Sequence, residues 1–403
     1  MSEAGSARTH SAFEVLRVFA KLGVSSFGGP IAHLGYFRTE FVSRRRWLDE
    51  QAYADLVALC QFLPGPASSQ VGFSIGLIRA GYLGGIAAWI GFTLPSALAL
   101  VLFAYGAPAL AGPVGLGALH GLKLVAVAIV AQAVWGMARS LCPDRQRASI
   151  AVAAAWLILF STSSIVQVAA IALGAIAGAV LCRPGAVAAG GHMPMPVSRR
   201  AGVAALTLFF LLLLGLPVLR DLTGSQALAL ADAFYRSGGL VFGGGHVVLP
   251  LLHEAVVAPG WVGDDAFLAG YGAAQAVPGP LFTFAAYLGA VVGPAPNGLA
   301  GAALGLVAIF LPGLLVLIGI LPFWESFRRL TAAQAVMRGV NAAVVGLLGA
   351  ALYNPVWTGA VKTPGDFGLA LTGFVLLTLW QAPPLLVVLL GAAGGIGLAL
   401  IGR

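Results

Sequence analysis

"LVFGGGHVVLPLL", residues 240–252, sets three consecutive glycines inside a run that is otherwise apolar enough to lie in a membrane. About half a chain earlier, residues 26–37 read "SFGGPIAHLGYF". Phe27-Gly28-Gly29 falls on Phe242-Gly243-Gly244, an offset of 215 residues. A shift of 214 brings "WLDEQAY" (47–53) onto "WVGDDAF" (261–267) and "CQFLPGP" (60–66) onto "AQAVPGP" (274–280). Shifts of 217 and 218 bring "FTLPSAL" (92–98) onto "IFLPGLL" (309–315), and "LHGLKLVAVAIVAQAVW" (119–135) onto "MRGVNAAVVGLLGAALY" (337–353). Five collinear blocks with small gaps identify an internal duplication. One copy covers about 13–139 and the other about 233–357.

The surrounding composition fixes the solvent. Of 403 residues, 59% are hydrophobic and only 9% are Asp, Glu, Lys or Arg, against roughly 25% charged in soluble domains. Runs such as "VAALTLFFLLLLGLPVL" (203–219) are apolar on every face, unlike the alternating ~10-residue strands of a membrane barrel. The chain therefore reads as an all-α polytopic membrane protein. The N-terminal apolar stretch is interrupted by Arg17 and Lys21 and lacks a cleavage signal, so it is expected to be retained. The formal charge of +8 points to basic cytoplasmic loops rather than to nucleic acid. Cys60, Cys142 and Cys182 form no CxxC and read as buried bystanders.

Charge placement orients the copies. The loop after the first glycine motif holds Arg38, Arg44, Arg45 and Arg46; its counterpart holds Glu254, Asp264 and Asp265 and no cation. Further along the bias reverses: 106–117 is uncharged, whereas "WESFRRLTAAQAVMR" (324–338) carries three arginines. Short basic loops stay in the cytoplasm, so equivalent loops lie on opposite faces and the repeats are inverted, a frequent construction of secondary transporters. Three segments are expected: residues 1–139 and 233–403 as the repeats, and 140–232 as a connecting transmembrane segment that makes the number of crossings between them odd. Full spans are expected near 82–105, 119–138, 148–161, 164–182, 201–219, 299–323, 336–353, 367–380 and 384–401. Segments 13–37, 51–78, 233–252 and 267–293 are apolar yet interrupted, either as kinked spans or as re-entrant pairs of half-helices.

Broken backbone survives in hydrocarbon only inside protein or against a wet cavity, because each unpaired amide costs several kcal/mol there. Glycine permits close approach of a ligand to backbone, successive N–H groups form anion-binding nests, and helix N-termini favour anions. The candidate oxyanion site is thus Gly28, Gly29, Pro30, Pro64, Gly65, Pro66, Gly243, Gly244, Gly245, Pro278, Gly279 and Pro280. Beside them stand the donors Ser68, Ser69, Thr283, Gln61 and Gln275. His33 and His246 follow the glycine motifs and either donate to an anion, shuttle protons or make an ordinary helix contact. Lys123 either snorkels or neutralises bound charge; its repeat partner is the neutral donor Asn341. Asp55, Asp232 and Glu254 are either proton carriers or solvated loop charges. Close-packing glycines are the plainer reading of Gly174/Gly178 and Gly301/Gly305.

"FGGPIAHLGYFRTEFVSRRRWLDE", "LCQFLPGPASSQVGFSIG", "FGGGHVVLPLL" and "GYGAAQAVPGPLFTFAAYLG" closely resemble the chromate ion transporter family, in its long form with two antiparallel homologous halves. The resemblance covers both repeats and is weaker in 140–232 and over the last ~40 residues. It implies chromate export from the bacterial cytoplasm across the inner membrane, driven by potential or proton gradient, and chromate resistance. Sulfate is the competing oxyanion, and a passive anion channel the competing mode. Expected partners are a chromate- or sulfate-like oxyanion and the lipid bilayer; a homodimer is left open. No cofactor, metal or catalytic residue is expected. A membrane chromate reductase would want a redox fingerprint that the sequence lacks, and a cation transporter clustered ligands.

Overall fold

The computed structural model describes residues 11–27, 29–109, 112–160, 164–182, 196–242, 245–324 and 331–401. Gly28, Gly243 and Gly244 lie outside the described residues, as do Arg328 and Arg329. Among the described residues every regular element is helical. In chain order these are α1 (Ala12–Ser25), α2 (Gly29–Phe37), α3 (Glu50–Phe62), α4 (Ala67–Gly106), α5 (Pro113–Leu141), α6 (Arg145–Phe160), α7 (Ser164–Leu181) and α8 (Arg199–Thr223). There follow α9 (Gln226–Gly239), α10 (Val248–Val256), α11 (Asp264–Ala274), α12 (Phe284–Val291), α13 (Gly298–Ile320), α14 (Thr331–Ala351), α15 (Pro364–Thr378) and α16 (Pro384–Ile401).

The four interrupted segments are re-entrant. α1 and α3 have 14 and 13 residues, about 20 Å each at 1.5 Å per residue, too short for a core ~30 Å thick. Each starts with a cap: the Ser11 hydroxyl accepts from the Phe13 amide, and the Asp49 carboxylate from the Ala52 amide at 2.7 Å. Each then stops at its break, and the chain returns to the face it came from. Arg45, beyond α2, lies 3.5 Å from Glu14 at the start of α1. Arg79, at the far end of the arm after Pro66, lies 3.5 Å from the same Glu14 and 4.7 Å over the ring of Trp47, which precedes α3. In the second copy Gly293, just past α12, donates to the carbonyl of Trp261, just before α11, at 2.9 Å. α4 is itself a hairpin: its helix breaks at Ala80 and Gly81, and Gly76 packs directly on the backbone of Gly84. Its counterpart pair α12–α13 is separated by an open loop, with Gly289 packed on Gly301 in the same way.

The inversion is visible in how the copies meet. The second arm of α4 runs antiparallel to α13: Tyr105, near its end, adjoins Gly298, the start of α13, while Trp89 lies 5.7 Å from Phe310. Further helices are exchanged between the copies. Gly121 of α5 packs on Gly391 and Gly395 of α16, and Gly339 of α14 packs on Gly174 and Gly178 of α7. Because lipid is as apolar as leucine, such pairs associate through close backbone approach over small residues. Adding a Cβ at Gly121 or Gly339 would drive it into a facing backbone.

Six helices among the described residues are long and apolar enough to cross a bilayer: α4, α5, α8, α13 and α14 with their short extensions, and α16. The chain is a multi-pass membrane protein. Three expected spans correspond to shorter helices, α6, α7 and α15, of 16, 18 and 15 residues. Aromatic side chains fill the first copy around Phe19, Phe37, Phe41 and Phe92, with ring centroids 5.0–6.5 Å apart. Phe267, Tyr271, Phe284 and Tyr287 do the same in the second.

Candidate functional site

The four breaks meet at one junction, and backbone hydrogen bonds join them across the repeats. The Gly65 amide donates to the Val241 carbonyl at 2.7 Å, and the Gly279 amide donates to the Ser26 carbonyl at 2.9 Å. Gly65 aligns with Gly279 and Ser26 with Val241, so the two bonds are one contact made twice by the pseudo-twofold. Both glycines adopt left-handed backbone, φ +110° and +104°, which an L side chain resists. Each also lies on the opposite copy's proline-bearing helix. A Cβ on Gly65 would lie 3.0 Å from the Gly313 Cα, and one on Gly279 would lie 2.8 Å from the Ser96 hydroxyl. Ser96 and Gly313 are again repeat equivalents.

These two amides are therefore committed to protein carbonyls and are unavailable to a ligand while the contacts hold. Other donors remain. The returning arms α2, α4 and those leading into α10 and α12 all begin at the junction, each leaving first-turn N–H groups without intrahelical acceptors. Around them are side-chain atoms buried without any hydrogen-bond partner: Ser26 Oγ, Ser69 Oγ, Gln70 Oε1, Thr93 Oγ1 and Gln275 Nε2. Buried polar groups are partnered in the great majority of cases. Five such atoms on the segments that form one junction mark a place for water or a polar guest.

The expected site residues divide into several groups. Pro66, Gly245 and Pro280 are buried in the junction, while Gly29, Pro30, Pro64, Gln275, Pro278 and Gly279 are partly exposed. Gly245 faces Pro30, its notional Cβ 3.5 Å from that ring. His33, 1% exposed, donates from Nε2 to the Ser26 carbonyl at 3.2 Å, which leaves Nδ1 to accept from the Ser68 hydroxyl at 3.4 Å. His33 thus braces the carbonyl that holds Gly279. His246 Nδ1 lies 2.7 Å from the buried Tyr271 hydroxyl. Thr283 donates back to the Pro280 carbonyl at 2.7 Å, capping its own turn. Gln61 is exposed on α3. Lys123 forms a 2.7 Å ion pair with Asp265 of the other copy, and Asn341 is half-buried with Oδ1 unpartnered. The sequence carries no signal for Thr93, Ser26 or Tyr271 at the site, and Asp265 reads there only as a loop charge. Among the described residues no group of three or more His, Cys, Asp or Glu is placed to hold a metal ion.

The chain matches the chromate transporter family twice, over residues 13–179 and 228–396. It belongs to the chromate transporter family. The transporter is 28% identical over 391 residues to the chromate transport protein of Pseudomonas aeruginosa, covering 93% of this chain and 89% of that one. It is 26% identical to a probable chromate transport protein of Synechococcus elongatus, covering 96% and 95%, and 26% identical to the chromate transport protein of Cupriavidus metallidurans, covering 93% and 88%. No solved structure matches. The matched stretches run beyond 139 and 357 and take in α6–α7 and α15–α16, the helices that the two copies exchange.

The Lys123–Asp265 pair allows a test of whether the transporter's copies are electrostatically coupled. The lysine is 13% exposed and the aspartate 84%. Asp265→Asn strands a mostly buried ammonium, whereas removing both charges does not. A thermal-unfolding cycle with Lys123→Met, Asp265→Asn and the double variant is expected to give a coupling of about 1 kcal/mol. Additive effects would mean that the pair is solvent-screened and idle.

Proposed function

We propose that the protein exports chromate from the cytoplasm across the bacterial inner membrane as a secondary transporter, with the oxyanion held at the junction of the four broken helices. The observation that carries this reading is the reciprocal Gly65–Val241 and Gly279–Ser26 bonding beside the unpartnered Ser26 Oγ, Thr93 Oγ1 and Gln275 Nε2. Neutral donors and helix N-termini can take up a dianion without the expense of burying several cations in hydrocarbon. We further propose that the functional repeat runs from α1 to α7 and from α9 to α16, with α8 as the connecting span. The second arm of α4, α5, α6, α7 and α8 then supply the odd number of crossings that inversion needs.

The energetics favour export without nucleotide hydrolysis. Moving one charge through 100 mV is worth ~2.3 kcal/mol, so a dianion leaving a negative interior gains about twice that. No chemical change of the substrate is part of this reading. Sulfate, a tetrahedral dianion like chromate, is the expected competitor.

Proteoliposomes carrying radiolabelled chromate, with voltage and pH gradients imposed separately, test the proposal. Chromate flux should follow the imposed potential, negative on the loaded side, and should be reduced by excess sulfate. Flux that ignores both gradients and only dissipates a concentration difference would instead favour a passive anion pathway.

A further inference from the structure

The face opposite the Arg44–Arg46 loop carries a feature the junction does not use. α8 starts at Arg199 and Arg200, with Gly202 against Pro322 just before the basic 324–338 stretch, and ends near Arg220, so Arg220 lies on the far, exoplasmic side. Arg236 of α9 comes to the same place. Cations are under-represented on that side of membrane proteins, and here two are held together by a buried acid. Asp232, with 0% of its side chain exposed, accepts from Arg220 Nη1 and Arg236 Nη2 through one oxygen, both at 2.7 Å. Arg220 Nε also donates to the exposed Asp221 at 2.9 Å. Arg236 Nε and Asp232 Oδ1 are buried without partners.

Arg220 and Arg236 both line an open cavity of about 290 Å³ formed by residues of α7, α8, α9, α10 and Trp261. Glu254, which is partly exposed, lines the same cavity. Resting on the export reading above, we infer that this cavity is the release site for the oxyanion: Arg220 and Arg236 receive the dianion as it leaves the junction, and Glu254 opposes its retention. Planar guanidinium groups fixed by a carboxylate behind them present their remaining N–H donors in a set direction, the arrangement suited to an oxyanion. Asp232 and Asp221 between them cancel the two guanidinium charges, so a guest is held only through the remaining N–H donors, and the charge of Glu254 weakens that hold further. A release site must let go.

The pseudo-twofold supplies a corresponding cation. Arg236 precedes Phe242 by the same six residues that separate Lys21 from Phe27, so each copy sets one cation before its glycine break. Lys21 is exposed on α1. The inverted repeats thus flank the junction with one cation towards either face, and the exoplasmic one is pinned by a buried carboxylate.

External sulfate inhibition of chromate efflux, measured in oriented sealed vesicles, tests the inference. In Arg236→Gln the half-inhibitory sulfate concentration should rise roughly tenfold, the loss of one charge-assisted contact. In Glu254→Gln it should fall by several-fold, and Arg236→Lys should restore part of the Arg236→Gln loss. Glu254 has no ion-pair partner among the described residues, so its variant remains informative should Arg236→Gln fail to fold. Inhibition constants unchanged in Glu254→Gln, or shifted equally by Lys21→Gln, would overturn the release site while leaving transport standing. Wild-type vesicles with no oxyanion flux would overturn the transport reading itself, and this inference with it.

Discussion

Gly279→Val is expected to abolish chromate flux and to lower the melting temperature of the purified protein by many degrees. Three effects add. The residue sits at φ +104°, a conformation that costs an ordinary L residue roughly 1–2 kcal/mol and a β-branched one more. Its Cβ would lie 2.8 Å from the Ser96 hydroxyl and 3.2 Å from the Phe92 carbonyl, the second of which is helix backbone that cannot rotate away. Overpacking of that kind adds about 1–3 kcal/mol. The displaced turn would then carry the Gly279 amide off the Ser26 carbonyl, now 2.9 Å away, removing one of the two bonds that tie the copies. Gly65→Val should behave alike, since Gly65 sits at φ +110° against the Gly313 backbone. Gly106→Val is the control, because nothing lies within 4 Å of its notional Cβ. Should Gly279→Val keep wild-type flux and stability, the cross-repeat contact is incidental.

Gln70→Leu is expected to have the next largest effect. The Gln70 amide donates at once to the Pro64 carbonyl at 2.8 Å and to the Gly313 carbonyl at 2.9 Å. One side chain thereby satisfies the break of the first copy and the bend of the second. Leucine fills similar space and satisfies neither. Two orphaned carbonyls at about 1–3 kcal/mol each predict a loss of roughly 2–6 kcal/mol, relieved to the extent that water enters. Gln70→Glu keeps the shape but puts a carboxylate against two carbonyls and adds negative charge where a dianion is to pass. Its flux should be lower than that of Gln70→Leu at equal expression. Thermal unfolding and chromate uptake on the same preparations separate the two effects. A Gln70→Glu protein as active as wild type would place the oxyanion route elsewhere.

The duplication, the inversion and the four interrupted segments were legible because each rests on local chemistry. Glycine and proline cannot hide inside a membrane helix, and the arginines of 38–46 report their own side of the bilayer. Close packing at Gly174 and Gly178 was legible for the same reason, although their partner Gly339 was not. What stayed hidden was pairing across the copies. Nothing in "PGP" states that Gly65 donates to Val241 and not to an anion, since an amide's acceptor is chosen by the whole fold. Lys123 read equally well as a snorkelling cation or a substrate counter-charge, and the structure gives it Asp265, 142 residues away. Thr93 and Ser26 looked like ordinary small polar residues in apolar runs. They gain meaning only when the two copies bring them beside Gly279.

An anomalous-scattering map at the chromium edge, from crystals of the protein grown with chromate, measures the central claim most directly. The account predicts a chromium peak at the junction, within hydrogen-bonding reach of one or more of Ser26, Thr93 and Gln275. A fully occupied peak elsewhere in the bilayer region, with those three side chains packed dry against protein, would contradict it.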